Sequence, residues 1–253
     1  MSKQARARTQ ELRKAQQEAA RQQARRRTVV MTVAGVVVVA LLAAIVWAVV
    51  RAASGDDSAG ASGDVVTPGN LTSAGTIPVG DEAAPVTVTI FYDYMCPACG
   101  AFEAANGEEL TRLVEDGTAK VELHPMNFLD PTSEGTEYST RAANAVATVA
   151  DGAPDTVWAF HSALYENQPE EGTPGLSDDD IARIAEDAGV PADVVDRFGD
   201  RTYDGWVTSM NEKANEDGVG GTPTVRLDGE LFEGDLYTPG PLTDAIESAA
   251  GEQ

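Results

Sequence analysis

The chain has two cysteines, and they stand three apart in Cys96-Pro97-Ala98-Cys99. Two thiols at that spacing can exchange electrons as a disulfide, take part in holding a metal, or lie inert in a core. Their neighbours discriminate among these. Residues 86–94, VTVTIFYDY, alternate and are rich in β-branched and aromatic side chains, which predicts a strand running up to the pair. After the pair, Phe102, Leu110 and Leu113 recur at helical spacing as far as Gly117. The cysteines therefore occupy a strand-to-helix turn. A sulfur there sits near unpaired backbone N–H groups and the positive end of the helix dipole. Both favour thiolate, so Cys96 is expected to carry a lowered pKa and to be the attacking or leaving sulfur. Pro97 suits the first turn, where its missing N–H costs nothing. Cys99 comes one turn later, largely covered, placed to resolve a mixed disulfide.

Three other readings compete. Cysteine pairs outside the cytoplasm are commonly structural bridges, but closing so short a loop constrains the unfolded chain little. A metal site needs two more ligands, and His124, His161 and carboxylates are the candidates, with no second paired motif. Inert core thiols are the third. The redox reading is preferred, and neither a metal nor a cofactor is expected.

Gly221-Thr222-Pro223-Thr224 adds to it. A proline after glycines and directly before a strand is a candidate cis peptide. In a thioredoxin-type sheet this loop would face the cysteine turn, where the Thr222 backbone could pair with a bound substrate strand. Asp93, three residues before Cys96, is read either as a solvated loop carboxylate or as a proton relay beside the cysteines. His124 and His161 are expected to be packed or surface histidines rather than catalysts. Trp158, Phe160 and Tyr165 are assigned to core and Phe91, Tyr92 and Tyr94 to sheet packing, with the border of an apolar substrate groove as the alternative for Tyr94 and Met95.

The elements that must position these residues follow from the same patterns. Residues 120–128 predict a second strand, parallel to the first because a whole helix separates them. From 135 to about 195 the pattern is helical, with Ser177 capping one helix. A longer helix covers 200–216. Residues 224–227, the Asp228-Gly229 turn and 230–233 predict a hairpin, and 241–250 a closing helix. The order βαβ, helical block, α, ββα predicts an α/β, thioredoxin-like fold with a helical insertion at about 135–200.

Charge divides the 253 residues unevenly. The net charge is −23, yet residues 1–27 hold nine Lys/Arg against two Asp/Glu. Residues 28–50 are uncharged. As a helix they would be about 35 Å long at ~1.5 Å per residue, enough to cross a bilayer core of about 30 Å. One N-terminal transmembrane helix is thus expected, preferred over a cleaved signal peptide. The basic head places the N-terminus in the cytoplasm, near anionic lipid, and the acidic body outside. Residues 51–70, rich in Gly, Ser and Asp, read as a flexible linker, and 71–253 as the catalytic domain. The acidity of that body argues against nucleic acid as a partner.

The stretches IPVGDEAAPVTVTIFYDYMCPACGAFE, HPMNFLD and GVGGTPTVRLDG resemble the membrane-anchored DsbA-like thiol-disulfide oxidoreductases of actinobacteria. The resemblance runs from about residue 71 to the C-terminus. It implies that Cys96 is the nucleophile, Cys99 the resolving cysteine and Thr222-Pro223 the cis-proline loop. It also implies reoxidation by a membrane oxidase of the DsbB or vitamin K epoxide reductase type, with reduced exported polypeptides as substrates. One departure stands out. Many of these relatives carry a buried acid six positions before the first cysteine, where this chain has Ile90. The function expected is an extracytoplasmic oxidase that donates disulfides, acting as a monomer. The rivals are a reductase or isomerase, and a chaperone-like binding module with a fixed bridge.

Overall fold

The structure, a computed structural model, describes residues 65–251. The basic head, the apolar span at 28–50 and most of the expected linker lie outside the described residues. Among the described residues no helix is long and apolar enough to cross a membrane.

Strand β1 (Ile77–Val79) is followed by β2 (Val86–Tyr92), the centre of a five-stranded sheet. Helix α1 (Pro97–Glu115) crosses over to β3 (Ala119–Pro125), which pairs parallel with β2 in the register Val88 to Val121 and Ile90 to Leu123. Strand β4 (Thr224–Leu227) pairs antiparallel on the other side of β2, and the short β5 (Glu230–Leu231) turns back along β4. The sheet order is β1-β3-β2-β4-β5. The second strand stops at Pro125 rather than continuing to 128, and the hairpin's return strand keeps two residues of the four expected. β1 was not foreseen. It is three residues long, with a proline in the middle of an edge strand, too little pattern to read.

The alternation in β2 builds two cores. Val86, Val88, Ile90 and Tyr92 join the main core with Phe102, Leu110 and Leu113 of α1, whereas Phe91 points the other way, to Met126, Ala214 and Val219. Helix α1 ends where Gly117 turns left-handed at φ 75°. The Thr118 N–H then reaches the Leu113 carbonyl at 2.9 Å and the Gly117 N–H the Val114 carbonyl at 3.2 Å, which satisfies carbonyls the helix leaves free.

Between β3 and β4 lie α2 (Tyr138–Gly152), α3 (Val157–Glu166), α4 (Asp178–Asp187), α5 (Ala192–Val195) and α6 (Asp204–Glu216). The alanines of α2 let its neighbours approach closely, and most of its residues are buried. It packs on α3, α5 and α6, while α6 also covers β3 and α3 packs on α1. Helix α7 (Pro241–Gly251) lies against α1 and β2. The last residues of the expected linker are held in place: Pro68 is buried, the Gly69 N–H donates to Asp151 Oδ1 at 3.0 Å, and Asn70 Nδ2 donates to the Ala150 carbonyl at 3.1 Å.

Candidate active site

β2 ends at Tyr92, and Asp93, Tyr94 and Met95 carry the chain into α1. The Cys96 N–H closes that turn on the Asp93 carbonyl at 3.0 Å. Cys96 is the N-cap of α1, with extended backbone (φ −74°, ψ 115°) and Pro97 in the first turn. Its carbonyl accepts from the N–H groups of Cys99 at 3.0 Å and Gly100 at 3.2 Å. Both cysteines are free thiols. They differ in access: Cys96 retains 7 % exposure and Cys99 1 %, so an incoming sulfur meets Cys96 first.

The register of β4 brings the proline loop to the same place. Thr224 lies opposite Phe91, so the residues just before it pass beside the turn that follows β2. The Thr222–Pro223 bond is cis, and the Cys96 thiol donates to the Thr222 carbonyl at 3.4 Å. Cys96 and Thr222 thus meet although 126 positions separate them.

The two sulfurs are electrostatically unlike. A hydrogen bond from the Cys99 thiol holds the Cys96 pKa down to about 6; burial opposes this, and Thr222 and the N–H groups of Cys99 and Ala98 add to it. Cys99 moves the other way, pushed far above an ordinary thiol by burial and by the adjacent Cys96, with the Asp93 N–H only partly offsetting them. One sulfur is poised as a thiolate and its neighbour keeps its proton.

Asp93 is fully buried, which overturns the solvated-loop reading. Its Oδ1 accepts from the Met95 N–H at 2.8 Å and the Ser139 hydroxyl at 2.6 Å, and its Oδ2 from the Leu129 N–H at 3.0 Å. Burial pushes its pKa up to about 6, against these donors. Tyr94 is buried, as the packing reading expects, and so is Met95, so neither borders a substrate groove. The Tyr94 hydroxyl meets His161 Nδ1 at 2.9 Å, and His161 Nε2 lies 3.7 Å from Glu103 Oε2. Burial would raise Glu103, but His161 and Ser162 outweigh it and hold that carboxyl low. His124 packs on Phe91 with ring centroids 4.3 Å apart and bonds the Met210 carbonyl at 2.9 Å; burial pushes it down to about 4. Both histidines are packing residues. Phe160 and Tyr165 lie in the core, and Trp158 is half-buried at its edge.

Two contacts to the turn were missed from sequence. The Tyr165 hydroxyl donates to the Asp93 carbonyl at 3.2 Å. Gln168 Nε2 donates to the carbonyls of Tyr94 at 3.1 Å and Cys96 at 2.8 Å. Gly100, beside Cys99 and free of a side chain, was the one local hint that something lies over the first turn of α1.

A lowered thiolate in front of a buried thiol is an arrangement for thiol–disulfide exchange. The thioredoxin family matches residues 72–247. Serine/threonine-protein kinase PknE of Mycobacterium tuberculosis is 36% identical over 115 residues, which is 44% of this chain and 20% of the kinase. The chain therefore spans about a fifth of that relative's length. Disulfide bond formation protein D of Bacillus subtilis is 29% identical over 162 residues, covering 61% of this chain and 68% of that protein. Among solved structures, MdbA, a thiol-disulfide oxidoreductase from Actinomyces oris, is similar with a TM-score of 0.61 at 27% identity, covering 72% of this chain and 88% of that one. The chain belongs to the thioredoxin family, and the solved structures it resembles include DsbA-like thiol-disulfide oxidoreductases.

Proposed function

We propose that this protein is an extracytoplasmic thiol-disulfide oxidase, anchored by residues 28–50, that donates the Cys96–Cys99 disulfide to exported polypeptides. The observation that carries this is the contrast between the two sulfurs. Cys96 caps α1 at the surface of the core beside the cis Thr222–Pro223 bond, with its thiol held low, while Cys99 one turn on is buried and raised. A stabilised Cys96 thiolate favours the reduced protein, and a protein that prefers to be reduced is a good oxidant.

A substrate thiolate attacks Cys96 Sγ of the oxidised protein. The Cys96–Cys99 bond breaks, and its electron pair leaves on Cys99, which takes up a proton. A second substrate thiolate then attacks the substrate sulfur of the mixed disulfide, and Cys96 departs as thiolate. The substrate gains a disulfide and the protein carries away two electrons. Thr222 and Pro223 hold the substrate strand beside Cys96, through the Thr222 backbone. Asp93, a carboxyl near pKa 6 buried close to the pair, is assigned to the proton balance of Cys99. A membrane oxidase of the DsbB or vitamin K epoxide reductase type receives the electrons. The name of the Bacillus subtilis relative, a disulfide bond formation protein, supports the same direction.

The test is the reduction potential of the full chain, purified in detergent and equilibrated with glutathione buffers. A value of about −120 to −180 mV is expected of an oxidant, and one of about −270 mV would make the protein a reductase instead. Cys96→Ser should abolish the oxidation of a reduced unfolded substrate.

A further inference from the structure

The helical insertion touches the redox turn through a residue with no chemistry of its own. Gln168 follows the C-terminus of α3, and its N–H still bonds the Tyr165 carbonyl at 3.1 Å. Pro169 comes next and confines the Gln168 backbone to extended conformations. The side chain is thereby aimed at α1. Its single amide nitrogen donates to the carbonyls of Tyr94 at 3.1 Å and Cys96 at 2.8 Å, the residues on either side of Met95. The Cys96 carbonyl already accepts from Cys99 and Gly100, so the third donor it receives comes from 72 positions away.

A second observation comes from the helix. A methyl group built on Gly100 would overlap the Gln168 carboxamide oxygen. The bare position after Cys99 is what lets Gln168 lie across the first turn.

We propose that Gln168 is a positioning residue for the Cys96–Cys99 pair, pinning the turn through the Tyr94 and Cys96 carbonyls so that the helical insertion sets the reactivity of the attacking sulfur. Its amide nitrogen donates to two carbonyl oxygens of the turn that carries the Cys96 sulfur. Without that donor those carbonyls keep their full negative potential and the turn loses its tether to α3. Each effect disfavours the thiolate. The inference rests on the exchange reading of the pair only for its consequence in turnover.

The experiment uses the reduced full chain in detergent and follows the thiolate absorbance of Cys96 against pH, with thermal unfolding alongside. Gln168→Met keeps the length and loses the donors. It should raise the Cys96 midpoint by about half to one pH unit, a roughly three- to tenfold loss of thiolate below the midpoint. Gln168→Glu, which puts a charge beside the thiolate, should raise it further. Gly100→Ala should reproduce Gln168→Met by displacing the carboxamide, even though alanine alone favours a helix. The double variant Gly100→Ala/Gln168→Met should be no worse than either single one.

A Gln168→Met protein that melts earlier with an unchanged Cys96 midpoint would make Gln168 a tether only and overturn the proposal. Additive midpoint shifts in the double variant would also overturn it. Should Gly100→Ala fail to fold, Gln168→Met and Gln168→Glu decide alone. Failure of the oxidase reading looks different: the unaltered protein would then oxidise no substrate, whatever the Cys96 midpoint does in the Gln168 variants.

Discussion

Cys96 and Cys99 share a helix turn and differ in what surrounds them. Cys96 meets a thiol, two N–H groups and the Thr222 side chain at the edge of the core, whereas Cys99 lies deeper, where burial outweighs the Asp93 N–H and Thr222. Alkylation of the native reduced protein should therefore label Cys96 with a midpoint near pH 6 and leave Cys99 untouched until the protein is unfolded; mass spectrometry of the labelled peptides checks this. Asp93 gives a second prediction, of opposite sign to the usual carboxylate. Its pKa is raised from 3.8 to about 6 in the folded protein, so the folded state binds more protons than the unfolded one between those values. Its contribution to stability is present below about pH 4 and falls as pH rises to about 6, by about 3 kcal/mol at ~1.4 kcal/mol per unit. Asp93→Asn should remove that part of the slope in denaturant unfolding. The amide offers one acceptor oxygen to three donors, so at acid pH it should also cost ~1–3 kcal/mol. The cysteine spacing was legible because four consecutive residues spell it. The burial of Asp93 was not, because its partners Leu129 and Ser139 lie 36 and 46 positions away.

Among the elements, long periodic stretches and the hairpin with its turn signal were legible, and the isolated edge strand β1 was not. β2 and α1 carry enough alternation and enough helical spacing to declare themselves. β1 has three residues and no turn signal, and tertiary pairing alone makes it a strand, whereas β4 and the two-residue β5 were marked by the Asp228-Gly229 turn between them. Helix α4 was legible through its cap: the Ser177 hydroxyl accepts from the Asp180 N–H at 3.1 Å. Ser177→Ala should cost ~1 kcal/mol of unfolding free energy and leave the Cys96 midpoint unchanged, because α4 makes none of the contacts to the cysteine turn. Leu113→Ala, in a fully buried position of α1 against the sheet, should cost about 2–5 kcal/mol by the cavity it opens.

For the whole molecule, the charge state of one sulfur links redox state to stability. The Cys96 pKa is lowered in the folded reduced protein, from 9.0 to about 6. That stabilisation is complete above the unfolded value and is lost as pH falls through about 6. The reduced protein should then withstand more denaturant than the oxidised one at pH 7, and the gap should narrow on acidification from pH 8 to pH 5. Parallel urea unfolding of the two forms measures it. A gap that ignores pH would mean that Cys96 is not the group that stabilises the reduced state.

Legible along the chain were the cysteine spacing, its place between strand and helix, the proline loop and the order of the elements from β2 onward. These depend on neighbours along the chain, where spacing, propensity and caps act directly. Which side chains are buried around the pair, and which distant groups bond to it, followed from how the elements pack. Thr222 reaches Cys96 through the pairing of β4 with β2, and Gln168 reaches it because α3 packs on α1. The proline motif already pointed the Thr222 loop at the cysteine turn, but no local pattern encodes the Gln168 contact. Burial arises only when separate elements fold onto one another, and it is burial that raises Cys99, whereas Cys96 is lowered first by the neighbouring Cys99 thiol and only then by the distant Thr222.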